Sequence, residues 1–571
     1  MRILLLTHSF NGLAQRLFCA LRTDAHEVSV ELDIADSVTE EAVAAWRPDV
    51  VVAPFLKRRI PESVWSRVPC LVVHPGPPGD RGPAALDWAI LEGVREWGVT
   101  VLQADGDYDA GPVWAARGFA MRAAAKSSLY RREVTDAAVQ AVRDALSRQG
   151  AAPLAAPPGT FRAAPTAAQR TLDWTRMTSA EATRVIDAAD GHPGALDTLF
   201  GVPCRVFDAH RATPATLARA PAGAPGDVVA RRGPALLRRT PDGGVWIGHV
   251  RRGDVAPGLP ALKLAATRAF AAQAELLPTL DVALERDAAE WDELRYEEWG
   301  PPDARVGWLA FDFHNGAMDE PQCVRLRDAL AALRARPTRV LVLAGGSEFF
   351  SNGIHLHHIE SASAREDDSA AEASWRNIQA IDDVVLEILT LTDRLTVAAL
   401  RGNAGAGGCF VALAADHVWA HGDVVLNPHY KNMGNLYGSE YWTYTLPRRV
   451  GEDAARRLMQ DRLPLAAHDA AARGLVDRVL APAGAQIEAA VRREATALAA
   501  SPATVQAIAR KAEARAHDES VRPLAEHRAA ELARMQRNFY GFDPSYHVAR
   551  HYFVTRKPHA WTPRHLALHR P

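Results

Sequence analysis

The sequence predicts an α/β protein of several domains, and three observations predict it. Short apolar, β-branched runs alternate with helical patterns across residues 2–104, the signature of a parallel sheet with ligands at the carboxyl ends of its strands. An Ala/Pro-rich stretch, "AAPLAAPPGTFRAAPTAAQ" (151–169), then breaks the pattern and reads as a linker. Strands and helices resume after about residue 300 and give way to Ala-, Glu- and Arg-rich helix from about 485. At 571 residues the chain is too long for one core, so two to four domains are expected.

The elements follow in order. "RILLLT" (2–7), "DVVVAPFL" (49–56), "PCLVVH" (69–74) and "GVTVLQA" (98–104) are strands, and "LAQRLFCALR" (13–22) is the helix after the first of them. No GxGxxG follows that first strand, which argues against a dinucleotide site. The apolar run in "MRILLLTHSFNG" is too short for a signal peptide, and no run is long enough to span a membrane, so a cytoplasmic protein is expected. Residues 170–275 hold one helix, "SAEATRVIDAA", and then short strands in "CRVFDA", "GDVVARR" and "GVWIGHV", a small β module. The charged stretch 276–300 reads as helix. Beyond it come "VGWLAFDF" (306–313), a helix over "EPQCVRLRDALAALRA", "TRVLVLAGG" (338–346), and a strand, Gly-rich turn, helix start and strand in "RLTVAALRGNAGAGGCFVALAADHVWA" (394–420).

Composition narrows the function classes. With 66 Lys and Arg against 68 Asp and Glu, no excess of cations is available for a nucleic-acid backbone. The five cysteines are scattered and form no CxxC, which fits reduced thiols better than a disulfide framework or a zinc site. "HLHH" (355–358) has no fourth ligand suggested elsewhere and is read as non-metal. "GNAGAGG" is not a P-loop, because no GK[ST] follows.

Two stretches carry chemistry. In "CLVVHPGPPGDRGPAALDWAILEG" (70–93) a strand ends in His74, a proline- and glycine-rich loop follows, and Arg81-Gly82 opens a helix. Pro75, Pro77 and Pro78 limit the freedom of that loop. Together with "GVTVLQADGDYDAGPVWA", this stretch resembles the folate-dependent formyltransferases, which carry a strand ending in NxHPS, an RG-led helix, a GVT strand and a loop ending D-x-G. The resemblance covers roughly residues 1–270, since "IDAADGHPGALDTLFGVPCRVFDA" is similar to the start of that family's C-terminal OB-like domain. It implies a Rossmann-like formyltransferase domain over 1–160 and an OB-like domain over 170–275. It also implies 10-formyltetrahydrofolate as donor, His74 and Asp109 as catalytic residues, and Arg81, Gly82, Ala104, Asp105 and Asp107 at the folate. An imidazole can donate to the tetrahedral oxyanion of formyl transfer, and a carboxylate can set its charge and shuttle protons. One departure is that Val72 stands where the family has the NxH asparagine, and valine offers no amide donor. Asn11, ahead of the first helix, and Arg131 are candidates for a phosphate or carboxylate, with a plain helix-terminus or surface role as the alternative.

The second stretch is "EFFSNGIHL" (348–356) with "ALRGNAGAGGCFVALAADHVWA" (399–420). These, and "HYFVTRKP" near the end, resemble the enoyl-CoA hydratase/isomerase (crotonase) family over about 300–571. The resemblance implies a crotonase-like spiral α/β domain with C-terminal helices. It implies an oxyanion hole from the N–H groups of Ile354 and Gly407 around a coenzyme A thioester. His355 falls in the CoA-binding turn, and Arg550, Arg556 or Lys557 are expected at the CoA phosphates. The acid–base residues differ from the hydratase pattern: Phe410 replaces the first glutamate, and the second falls near His429. The loop "LNPHYKNMGNLYGSEYW" offers Tyr430, Tyr437 and Glu440 instead, and Tyr430 with Glu440 is the expected pair. Packing tyrosines and a surface carboxylate are the alternative.

A formyltransferase-like half followed by a crotonase-like half resembles the maturation factors of [NiFe]-hydrogenase. That resemblance implies synthesis of the enzyme's carbon monoxide ligand, by formyl transfer to coenzyme A and decarbonylation of formyl-CoA. Small-molecule substrates and hydrogenase maturation proteins are the implied partners. Two other readings stay open: a formyltransferase for an amine joined to a separate CoA hydratase or isomerase, and a non-catalytic folate- and CoA-binding scaffold.

Overall fold

In the computed structural model, residues 1–148, 152–155, 157–481 and 486–570 are described. Contacts divide the chain into two units. The first is Met1–Val255 with Ala265–Leu280 and Pro558–Pro571, and the second is Ala256–Leu264 with Asp281–Lys557.

The strands of the first unit's main region are β1 (Arg2–Thr7), β2 (Glu27–Leu32), β3 (Val50–Phe55), β4 (Cys70–His74), β5 (Asp80–Arg81), β6 (Glu96–Gln103), β7 (Val113–Ala120) and β8 (Thr160–Phe161). Six of them form one sheet in the order β2-β1-β3-β4-β6-β7. The first four are parallel, as the alternation with helices requires. β6 runs antiparallel to β4 and to β7, which corrects the expectation of a parallel strand at 98–104. The loop after His74 uses up much of the connection and leaves only the seven-residue helix Ala85–Leu91. That helix is about 10 Å long, too short to cross a strand of roughly 26 Å and return the chain in parallel.

The expected linker at 151–169 is also corrected. β8 pairs in parallel with β5, with Asp80 opposite Thr160 and Arg81 opposite Phe161. Leu154 N–H donates to the Val113 carbonyl at 2.7 Å. The segment is a strap along the loop that follows β4. Residues 151 and 156 of it lie outside the described residues. Beyond it, helix Ser179–Ala189 leads into an antiparallel sheet ordered Val228–Arg232, Ala235–Thr240, Gly243–Arg252, Val202–Arg211, Ala195–Leu199, the expected β module.

The second unit has a sheet ordered Leu294–Trp299, Val306–Phe311, Val340–Gly345, Leu395–Leu400, His417–His421, Arg478–Leu480, parallel after its first pair. Residues 276–300, expected as helix, end in the strand Leu294–Trp299. Leu294 and Tyr296 are buried with Arg295 between them, a period of two that charge alone had masked. A smaller sheet of Phe349–Ser351, Asn403–Gly405, Val425–Asn427 and Leu465–Ala466 carries the turns of the second site. Helix Ala370–Leu389 is packed into the core through Ile378, Ile381, Val385 and Ile388. Helices Gln486–Ala500, Ala503–Val521, Leu524–Tyr540 and Ser545–Val554 close the unit.

The segment Pro558–Pro571 belongs by its contacts to the first unit, so the expected boundary of 300–571 overruns. The cause is Glu31 on β2, fully buried, whose carboxylate accepts bonds from Thr562, His569 and Arg570. All five cysteines are buried free thiols. Among the described residues no helix is long and apolar enough to cross a membrane.

Candidate active sites

The first site is assembled at the end of β4. His74 is 4% exposed, with Nε2 2.7 Å from Asp80 Oδ2 and Nδ1 3.5 Å from Asp109 Oδ1. Sequence reasoning found His74 and Asp109 but missed Asp80. The turn that returns Asp80 to the imidazole requires glycine at 76, since a Cβ there would collide with both His74 Nε2 and the Asp80 carboxylate. Thr100, from the GVT strand, donates to the Gly76 carbonyl at 2.8 Å, and Trp97 Nε1 donates to the Pro75 carbonyl at 2.9 Å. The loop is therefore held by hydrogen bonds as well as by its prolines.

Arg81 and Gly82 act on the opposite loop. The Arg81 guanidinium donates twice to the Tyr108 carbonyl, at 3.0 and 2.9 Å, and Gly82 N–H donates to Asp109 Oδ2 at 3.1 Å. Their groups are thus engaged in fixing the loop that delivers Asp109. Val72 packs into the apolar cluster below the sheet, together with Ala104. A cavity of about 80 Å³ is bounded by Asp80, Thr100 and Asp109 and by Pro157 and Gly159 of the strap. A second, of about 440 Å³, is bounded by Arg58, Arg59, Trp65 and Asp105. Asp105 and Asp107 are exposed, and Asp107 N–H donates to Asp105 Oδ1 at 2.9 Å. Asn11 caps helix Gly12–Thr23 by accepting from Ala14 N–H at 3.0 Å, and its side chain also bonds Tyr130. Arg131 is half-buried in a π-helical turn, Tyr130–Val134, a feature frequent at functional sites.

The second site is built around Gly407. It opens helix Gly407–Leu413, so its N–H has no acceptor within that helix. The strand Gly353–Ile354 lies against it: a Cβ on Gly353 would stand 3.2 Å from Gly407 N. On the other side, a Cβ on Gly407 would collide with Glu440 Oε1. Gly407 N–H, the strand that carries Ile354 and the Glu440 carboxylate therefore lie close together, and only glycine at 407 leaves room for that carboxylate.

Glu440 is 1% exposed. Its Oε2 accepts from the Tyr430 hydroxyl and, at 3.1 Å, from Ser439 N–H. The Tyr430 ring stacks on Phe410, centroids 5.4 Å apart and planes 10° from parallel. The residue that removed the hydratase glutamate thus forms the wall that seats the tyrosine. Burial, and then the charge of Asp382, push the Glu440 carboxyl up to about 8. Burial, followed by the Glu440 charge, pushes the Tyr430 hydroxyl well above its ordinary range.

Glu440 and Tyr441 are consecutive residues in the left-handed region, with φ of 60° and 56°. Such residues cost about 1–2 kcal/mol each. Two buried carboxylates hold them there. Asp382, 0% exposed, accepts from Ser439 Oγ at 2.5 Å and from Glu440 N–H at 2.8 Å. Glu531 accepts from Tyr441 N–H at 2.9 Å and from Thr443 N–H at 2.8 Å. Hydrogen bonds of this kind contribute about 0.5–1.5 kcal/mol each, and the four together offset the strain. Burial pushes both of these carboxyls up as well, and at Asp382 the Ser439 bond opposes it.

Several expectations change here. Tyr437 packs its ring against Trp442 at 5.3 Å and does not join the Tyr430–Glu440 bond. His355 is buried; it caps helix Leu356–Ala362 by accepting from His358 N–H at 3.2 Å and stacks on His358 at 3.8 Å. It serves the helix start as an aspartate would. Arg550 is buried, with Nε 2.7 Å from Glu360 Oε2. Arg556 and Lys557 are exposed. Asp382, Ser439 and Glu531 were missed. The signal for Asp382 was an acid within the apolar face of "NIQAIDDVVLEIL", at a position where a charge has to have a purpose.

Comparison with known proteins gives the family of both regions. The family model described as formyl transferase matches residues 3–146, and that described as enoyl-CoA hydratase/isomerase matches residues 313–563. The chain is 52% identical to hydrogenase maturation factor HoxX of Bradyrhizobium diazoefficiens, covering 100% of this chain and 97% of that protein. It is 31% identical to methionyl-tRNA formyltransferase of Anaeromyxobacter dehalogenans, over 37% of this chain and 70% of that one. The crystal structure of HypX from Aquifex aeolicus in complex with tetrahydrofolic acid is similar over 100% of this chain and 99% of that chain, with a TM-score of 0.94 and 42% identity. The chain belongs to the HypX/HoxX family of hydrogenase maturation factors, a formyltransferase-type region joined to a crotonase-type region.

Proposed function

We propose that the protein makes carbon monoxide for hydrogenase maturation in two reactions. In the first, the formyl group of 10-formyltetrahydrofolate moves to the thiol of coenzyme A, giving tetrahydrofolate and formyl-CoA. In the second, formyl-CoA breaks down to carbon monoxide and coenzyme A. The observation that carries this reading is the Tyr430–Glu440 pair beside Gly407, where a hydratase would have carboxylates that this chain lacks. A thioester held at that point meets Glu440 Oε1, while Oε2 is taken by Tyr430 and Ser439.

The folate assignment is supported by the His74–Asp109 arrangement and by the tetrahydrofolate bound to the similar Aquifex HypX. His74 is the donor for the oxyanion, and Asp109 and Asp80 orient its ring. Asp105 and Asp107 remain the candidates for the folate edge, with the backbone of Ala104. For coenzyme A, Ile354 and Gly407 would hold the thioester oxygen, and Arg556 and Lys557, both exposed, are the candidates for its phosphates.

The test is carbon monoxide release, read by haemoglobin absorbance, from the purified protein given 10-formyltetrahydrofolate with and without coenzyme A. Release should require coenzyme A. His74→Ala should lose it but regain it when formyl-CoA is supplied, whereas Glu440→Gln should lose it under both conditions. Release without coenzyme A would sink the two-step reading.

A further inference from the structure

The chemistry assigned to Glu440 demands a strong base. The formyl C–H bond breaks and its proton goes to a carboxylate. The C–S bond then breaks with its electron pair on sulfur, carbon monoxide leaves, and the proton passes to the thiolate, so atoms and charge balance. An ordinary carboxylate is a poor base for such a proton, and one free to swing would miss it.

We propose that Asp382 is a positioning residue for this second reaction: through Ser439 and the Glu440 amide it holds the Glu440 carboxylate against Gly407, and its charge makes that carboxylate a stronger base. Three observations carry it. Asp382 is fully buried, far along the chain on helix Ala370–Leu389, yet it takes both the Ser439 hydroxyl and the Glu440 N–H on one oxygen, Oδ1. Those bonds fall on the residue pair whose backbone is strained, and they leave Glu440 Oε1 on the Gly407 side while Oε2 is taken by Tyr430 and Ser439. The compensation of Asp382 by a cation is incomplete, because Arg528 Nε stands 3.8 Å from Oδ2 and its NH1 is 2.6 Å from Asp383 instead. A negative charge behind a carboxylate raises its affinity for a proton.

The titratable and charged groups around Glu440 come from four elements. Tyr430 lies on its own loop, Asp382 on helix Ala370–Leu389, Glu531 and Arg528 on helix Leu524–Tyr540, and Cys323 on helix Glu320–Leu333. Burial acts on Glu440 in the same direction as Asp382, so the effect of Asp382 has to be isolated by changing its charge alone.

The inference rests on Glu440 being the base, and the experiment separates the two claims. The full chain is supplied with formyl-CoA and carbon monoxide release is followed from pH 5 to 10, with circular dichroism and melting midpoints as a check of folding. Asp382→Asn keeps an oxygen acceptor and removes the charge. It should lower the plateau rate about tenfold and move the acid-limb midpoint down by about one pH unit. Asp382→Glu should return the midpoint toward wild type. Ser439→Ala keeps the charge and loses one tether, so it should lower the plateau about fivefold with the midpoint unmoved, and this variant carries the test should Asp382→Asn not fold. An Asp382→Asn profile identical to wild type, or one lowered without a shifted midpoint, overturns the inference, as does a wild-type plateau in Ser439→Ala. If Glu440→Gln retains release, the base assignment itself falls and the inference with it; if Glu440→Gln is inactive while Asp382→Asn matches wild type, only the role of Asp382 falls.

Discussion

In the first unit an imidazole stands between two carboxylates, and the loop that brings one of them carries exposed Asp105 and Asp107. In the second unit a carboxylate stands between a tyrosine and the backbone of Gly407, backed by Asp382 and Glu531, and each of these side chains is buried. The first arrangement leaves its two carboxylates partly exposed, 13% at Asp80 and 18% at Asp109, and keeps them near a base they can orient. In the second, burial pushes the carboxyls up: to about 8 at Glu440, which keeps its proton into neutral pH, and only to about 6 at Asp382, which is largely ionised there. Transfer between two large polar substrates suits the first setting, because each partner must enter and leave with its water. Loss of a proton from a formyl carbon suits the second, since a desolvated carboxylate is the stronger base and no water competes for the thioester.

Three changes would break or sharpen that contrast. The largest effect is expected from Gly407→Ala. Its methyl would displace the Glu440 carboxylate and disturb an oxyanion donor together, so carbon monoxide release from formyl-CoA should fall about 10³-fold with formyl transfer unchanged. Stopped assays of each step, with the other substrate supplied, would show whether the loss is confined to one site. Next is Asp80→Asn, which leaves the loop intact and removes one charge from the imidazole. Formyl transfer should drop about tenfold to a hundredfold while breakdown of supplied formyl-CoA continues. Equal loss in both steps would mean that Asp80 matters for the fold alone. The smallest effect is thermodynamic. Glu440 holds its proton in the folded chain up to about pH 8, whereas the unfolded group ionises in the ordinary carboxylate range. The folded state therefore binds the extra proton, so the contribution of this group to stability is fully present below the ordinary carboxylate range and is lost as pH rises through about 8. Calorimetry of Glu440→Gln should show a shallower fall in melting midpoint between pH 6 and 9 than wild type, and parallel curves would argue that the buried group is compensated in some other way.

Much of this was legible in the residues. The strand ends, the β module, the C-terminal helices and the pairs His74–Asp109 and Tyr430–Glu440 follow from local pattern and from ordered motifs. What sequence could not supply is what long-range packing decides. Asp80 lies six residues from His74, but only the closed turn over Gly76 makes them partners. Asp382 and Glu531 reach the Glu440 turn from helices 58 and 90 positions away in the chain. The Pro-rich strap was read as a linker because proline density says nothing about whether an extended segment finds an edge to pair with. Nor does sequence show that His355 caps a helix or that Arg550 is buried in an ion pair with Glu360.

The anchoring of Glu31 has a consequence for how the molecule is made. β2 is an outer strand of its sheet, and its Val30 N–H is taken by the Leu566 carbonyl while Leu32 N–H is taken by the Thr562 hydroxyl, 530 positions downstream. At ordinary translation speeds that separation lasts about half a minute to two minutes. Through that interval the nascent first unit carries an open strand edge and an acid with no cationic partner, in the state most exposed to mispairing. The half of the protein that emerges first is thus the last to be finished, and its edge is sealed only when residues 562–570 have left the ribosome.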